Sequence, residues 1–145
     1  MSTIELNNFI RNKAQTLGFS KIGFAPAVTE LNIEKKLTHW LNQGYHSSMH
    51  WMETQATVRS NIRKYYPEIK SVLSLALNYF TGVPSIAPGI GKISNYAWGD
   101  DYHLLVKSKL KELLKRIKNY DEDIDGICCV DTSPISEKAW AQQAG

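Results

Sequence analysis

Cysteine is nearly missing from this chain: there are two in 145 residues, side by side at Cys128 and Cys129. Adjacent thiols cannot build a disulfide framework, and they lack the spacing of a zinc or iron–sulfur site. Buried, reduced thiols on a strand are therefore expected, with no metal ligands in this chain. Long hydrophobic runs are missing too. Nothing approaches the roughly 20 residues of a membrane span, and the start, MSTIELNNFIRNKAQ, lacks a signal peptide's apolar centre. No membrane partner is expected, and a cytoplasmic location is the default. Nor does charge of one sign dominate: 17 basic against 14 acidic residues leave +3. That is too mild to announce nucleic acid, although a local patch can still matter. What is present is a globular composition, 43% hydrophobic and 10% aromatic. The length fits one domain, 1–145, with a respectable core.

Along the chain, Ser2 or Thr3 can cap a first helix whose Ile4, Phe9, Ile10, Ala14 and Leu17 recur at helical spacing before Gly18. Residues 21–25 read as a short strand ended by Pro26, and Gly23 within it marks a close backbone approach. Thr29 or Asn32 can start a second helix, with Ile33, Leu37, Trp40 and Leu41 as its apolar stripe, Trp40 in the core and Gly44 as its stop. Residues 45–51 pack two histidines, a methionine and two aromatics around two serines. His46 and His50 at i and i+4 invite a metal, but no third ligand with convincing spacing follows, so none is expected. Residues 54–66 are polar and basic. They fit a solvated helix, or they place Arg59 or Arg63 on a phosphate, for which a guanidinium fork is suited.

Residues 71–79, SVLSLALNY, are the strongest strand, and 81–94 form a long loop. Asp100 or Asp101 then caps a long helix with Val106, Leu110, Leu113, Leu114 and Ile117 on one face and Lys107, Lys111, Lys115 and Lys118 on another. The lysines are a solvated face or a surface for an RNA backbone. At the end of the chain, Ile124, Ile127, Cys128, Cys129 and Val130 read as a strand, Asp131-Thr132-Ser133-Pro134 as turn chemistry, and 135–144 as a helix. Pro134 suits the first turn of that helix, and Glu137 complements its dipole. Asp131 is thus delivered to a strand–helix junction. It either caps the helix or sits at the edge of a ligand crevice.

Four ordered stretches carry a resemblance: 46–52 (HSSMHWM), 59–67 (RSNIRKYYP), 94–103 (SNYAWGDDYH) and 130–145 (VDTSPISEKAWAQQAG). Together they are similar to the epoxyqueuosine reductase family, cobalamin-dependent iron–sulfur enzymes of tRNA queuosine synthesis. Ser47 stands in place of a glycine, Ile62 of a proline, and Asn95 and Lys138 of arginines. The chain looks like the family's amino-terminal cobalamin-binding domain, ending before a ferredoxin-like part. The resemblance implies an α/β fold (α+β as the alternative), with a small central sheet flanked by helices, on a scaffold like those of flavin nitroreductases and cobalamin-trafficking proteins. The pocket is expected where strands ending near Tyr79 and Val130 meet their following loops.

The implied activity is reductive removal of the epoxide oxygen of epoxyqueuosine in tRNA. Asp131 would be the general acid, its pKa raised by a desolvated pocket. Met49, Trp51, Met52, Tyr96, Asp101, Tyr102, His103 and Ser133 would contact the corrinoid. Cobalamin is the implied cofactor. Two 4Fe–4S clusters are implied for the full-length enzyme, with no ligands here, so this chain alone is expected to bind cofactor without turning over. It is expected as a monomer, or as a dimer driven by crystal packing. From other classes, a non-catalytic corrinoid carrier and a flavin nitroreductase-like protein remain alternatives. Cysteines at ferredoxin spacing further along the gene would favour the reductase.

Overall fold

The computed structural model describes residues 2–27, 32–80, 82, 89 and 91–145. The fold is mixed α/β and falls into two compact units, one made of 1–21 and 76–130, the other of 22–75 and 131–145.

In the first unit, α1 (Thr3–Thr16) packs on α6 (Tyr102–Tyr120). Ser2 closes a reciprocal cap on α1. Its hydroxyl accepts the Glu5 N–H at 3.3 Å, and its own N–H donates to the Glu5 carboxylate at 3.0 Å. Gly18, at φ +90°, ends the helix as expected. The buried side chains are Ile10, Ala14, Phe19, Leu113 and Ile117, and the rest of the predicted α6 stripe is half-buried. Phe9 stacks on Tyr120 with centroids 3.9 Å apart. Asp101 caps α6 by accepting the His103 N–H at 2.9 Å.

The second unit holds most of β1 (Lys21–Pro26) and β2 (Ser71–Ala76), the two paired strands among the described residues. The flanking bonds, from Ser20 N–H to Ala76 O and from Ala27 N–H to Lys70 O, pair a rising with a falling sequence, so the strands are antiparallel. Around them come α2 (Ile33–Asn42), α3 (Trp51–Thr54), α4 (Ala56–Ser60), α5 (Ile62–Tyr65) and α7 (Glu137–Gln143). Ala25, Ala27, Ile62 and Trp140 form the core, with Ile69, Val72, Ile135 and Ala144 packed against them. A Cβ on Gly23 would lie 2.5 Å from the Ala144 carbonyl oxygen and 2.8 Å from its Cβ. The close approach read from that glycine is the end of α7.

Several expectations are corrected. Residues 124–130 are not assigned as a strand, and the run starts in turn geometry, with Ile124 N–H on Asp121 O and Gly126 N–H on the Asp125 carboxylate. β2 stops at Ala76, and an Asn78 side chain accepting the Phe80 N–H turns the chain. Neither predicted strand therefore reaches Tyr79 or Val130. Residues 54–66 are two short helices, since Asn61 leaves helical geometry (φ −139°) and caps α5. Asn32 starts α2 in a left-handed conformation without a side-chain cap, while Thr29 lies outside the described residues. Trp40 is half-buried rather than core. Helix α7 begins at Glu137, so Pro134 precedes its first turn.

Candidate functional site

The loop 131–136 presents Asp131 in the left-handed region at φ +57°. This is a conformation that non-glycine residues adopt uncommonly, aspartate and asparagine most readily. Two neighbours hold the loop. The Glu137 carboxylate, expected only to face the helix dipole, reaches back and accepts the Asp131 N–H at 2.7 Å. Arg59 donates from Nη1 to the Ile135 carbonyl at 3.3 Å, and the Ser136 hydroxyl donates to the Arg59 carbonyl, also at 3.3 Å. The Arg59 side chain is further committed: Nη2 donates to Gln55 Oε1 at 3.2 Å, and the guanidinium lies 5.0 Å from the centre of the Trp51 ring. The fork expected to meet phosphate is turned into the protein. Arg63 remains exposed.

Asp131 itself is exposed, so its carboxyl does not sit in the desolvated pocket expected for it. Ser133 is half-buried, and its carbonyl accepts the Ile135 N–H at 2.7 Å.

In the same unit, successive tight turns through 44–53 expose Met49 and Trp51 and half-bury Met52. His46 is buried, and its Nε2 lies 2.7 Å from Glu53 Oε1. Sequence reasoning missed Glu53, although its position seven residues after His46 continues the helical spacing of the two histidines.

In the first unit, Tyr96 sits in a 3₁₀ turn (Asn95–Ala97) and meets Tyr79 and Tyr102 edge-on, at 6.2 and 5.8 Å. Tyr102 stacks on His103 at 4.1 Å. Asp101 also contacts His103 Nδ1 at 2.7 Å. The backbone and side-chain bonds from His103 hold the Asp101 carboxyl below the ordinary carboxylate range. Burial pushes the Cys128 thiol up, with Cys129 adding to the effect, which makes it a poor nucleophile at neutral pH. A shallow depression lined by Phe9, Lys13, Arg116, Asn119 and Tyr120 includes none of the predicted site residues.

These features can be compared with known proteins. The family model described as "Epoxyqueuosine reductase QueG, DUF1730" matches residues 59–132, half of the chain. The epoxyqueuosine reductase of Atelocyanobacterium thalassa is 40% identical over 145 residues, covering 98% of this chain and 46% of that protein. Among solved structures, epoxyqueuosine reductase from Streptococcus thermophilus superposes with a TM-score of 0.79 at 28% identity, over 96% of this chain and 38% of its own. An epoxyqueuosine reductase solved with an epoxyqueuosine-modified tRNA-Tyr stem loop does so at 0.80 and 27%, over 99% and 39%. The chain spans a little under half the length of the curated relatives it matches. With the family model covering half its residues and its fold shared along nearly its whole length, the chain belongs to the epoxyqueuosine reductase family.

Proposed function

We propose that residues 1–145 act as the cobalamin-binding domain of an epoxyqueuosine reductase, working in the cytoplasm on epoxyqueuosine in tRNA, with Asp131 as the proton donor. The observation that carries this is the loop 131–136: an aspartate at positive φ, its amide held by Glu137, in a loop that Arg59 braces at Ile135, in a chain that belongs to this family. Backbone held in a sparsely populated conformation concentrates at functional sites.

The side chains suit a corrinoid. Exposed Met49 and Trp51, beside half-buried Met52, offer apolar surface to a flat macrocycle. Tyr96, Asp101, Tyr102 and His103, within the first unit, are carried over as corrinoid contacts from the family resemblance alone, and there Tyr96 and Tyr102 meet edge-on while Tyr102 stacks on His103. Cobalamin, when bound, would supply the reducing centre for the epoxide. Converting an epoxide to an alkene consumes two electrons and two protons, breaks both C–O bonds and releases water. Asp131 would hold one of those protons for the leaving oxygen. A cover that shuts water from its exposed carboxyl would favour that transfer. The electrons would come from two 4Fe–4S clusters that two adjacent cysteines cannot hold. With Arg59 committed internally, Arg63 is the phosphate contact we assign.

Titrating cobalamin into the purified chain tests this. A saturable change in the visible spectrum and a raised thermal midpoint are expected; neither appearing at saturating cofactor would count against the pocket. In a full-length relative, changing the residue aligned with Asp131 to alanine should abolish turnover while cofactor stays bound. Full turnover would remove Asp131 from the mechanism.

A further inference from the structure

We propose that His46, His50 and Glu53 form a site for a borderline divalent cation, zinc foremost. Each offers one ligand atom, and the three atoms lie within 4.8 Å of one another. The backbone brings them together. Tight turns, with Met49 N–H on His46 O at 2.9 Å and Glu53 N–H on His50 O at 3.1 Å, wind the segment so that positions 46, 50 and 53 share one side.

One edge of the site is preformed. His46 is only 8% exposed, and its Nε2 faces Glu53 Oε1 at 2.7 Å. His50 Nδ1 stands 4.0 Å from Glu53 Oε2, on a side chain 77% exposed and so able to swing. Tetrahedral zinc, with bonds of about 2.0–2.2 Å, spaces its ligand atoms about 3.3 Å apart. From positions within 4.8 Å of one another, the three ligand atoms must shift by up to about 1.5 Å, which the exposed His50 and Glu53 side chains can do by rotamer adjustment. Two imidazoles and one carboxylate leave the fourth position to water. Imidazole in the set favours zinc, copper or nickel over magnesium and calcium.

The ring also bounds the affinity. His46 Nδ1 is buried without a hydrogen-bond partner among the described residues. Coordination through Nε2 leaves the ring proton on Nδ1, where the acceptor that usually steadies a zinc-bound imidazole is missing. Micromolar rather than nanomolar binding follows. Without metal, His46 Nε2 and Glu53 Oε1 face each other at 2.7 Å, and the two states are separable by experiment.

Zinc is titrated calorimetrically into the 145-residue chain at pH 7.5, with Cys128→Ser and Cys129→Ser as background so that thiols cannot contribute. One equivalent should bind with a micromolar Kd. His50→Ala and Glu53→Gln, both on exposed side chains, should each weaken it at least tenfold with the circular dichroism spectrum unchanged. His39→Ala, on the exposed side of α2, should leave it unaltered. Absence of saturable binding would overturn the proposal, as would binding that survives both His50→Ala and Glu53→Gln.

Discussion

At the scale of single residues, the loop that presents Asp131 depends on neighbours whose roles the sequence does not announce. Glu137 read as a dipole partner for its own helix, and its carboxylate instead fixes the Asp131 amide. Arg59 read as a phosphate ligand, and it braces the Ile135 carbonyl. In both cases residue type sets what a group can bond, but the fold chooses the partner, six residues away for Glu137 and 76 for Arg59. Gly23 is the opposite case. A glycine inside a strand signals a close approach, and the approach is the backbone of Ala144. Because a carbonyl oxygen 2.5 Å from the new Cβ cannot rotate away, Gly23→Ala should push α7 off the sheet. We expect a loss of about 1–3 kcal/mol, the usual scale of overpacking. In urea unfolding the midpoint should fall with the slope unchanged. A wild-type midpoint would show that the gap closes without strain.

At the scale of elements, helices were more legible than strands. Helix α1 came from a cap, a period and a terminal glycine, all local, and α6 from an N-cap aspartate and a five-residue stripe. The run 124–130 is not a regular strand, and it opens in turn geometry: Ile124 N–H bonds to Asp121 O and Gly126 N–H to the Asp125 carboxylate. Ile62, 8% exposed, takes a place in the core beside Trp140. Helix α7, with seven residues, is too short to persist alone, and Trp140, 4% exposed, is what anchors it. Trp140→Ala should cost about 3–5 kcal/mol. That is much of a typical domain's stability. Residues 131–145 should lose protection from hydrogen exchange before β1 and β2 do. Equal loss across both would mean that α7 has no separate anchor.

At the scale of the whole molecule, a net charge of +3 says little, because what matters to a polyanion is how charge is arranged. On α6, Lys118 pairs with Asp125 at 2.6 Å and Lys109 donates to the Leu17 carbonyl, so neither presents an uncommitted charge. Lys107, Lys111 and Lys115, four residues apart in turn, remain on the exposed side of the helix. A spacing of four residues sets charges about 6 Å apart, comparable with successive phosphates along a strand. If the proposed tRNA substrate lies along this helix, each lysine–phosphate contact releases condensed cation, and affinity falls with salt in proportion to the number of contacts. Replacing all three lysines with glutamine should therefore weaken binding of an anticodon stem loop and flatten the plot of log K against log salt by about 2. Replacing Lys118 alone should do neither to a comparable degree, since its charge is already met by Asp125. An unchanged salt slope in the triple variant would move the RNA contact off α6 and leave these lysines as solvating charge.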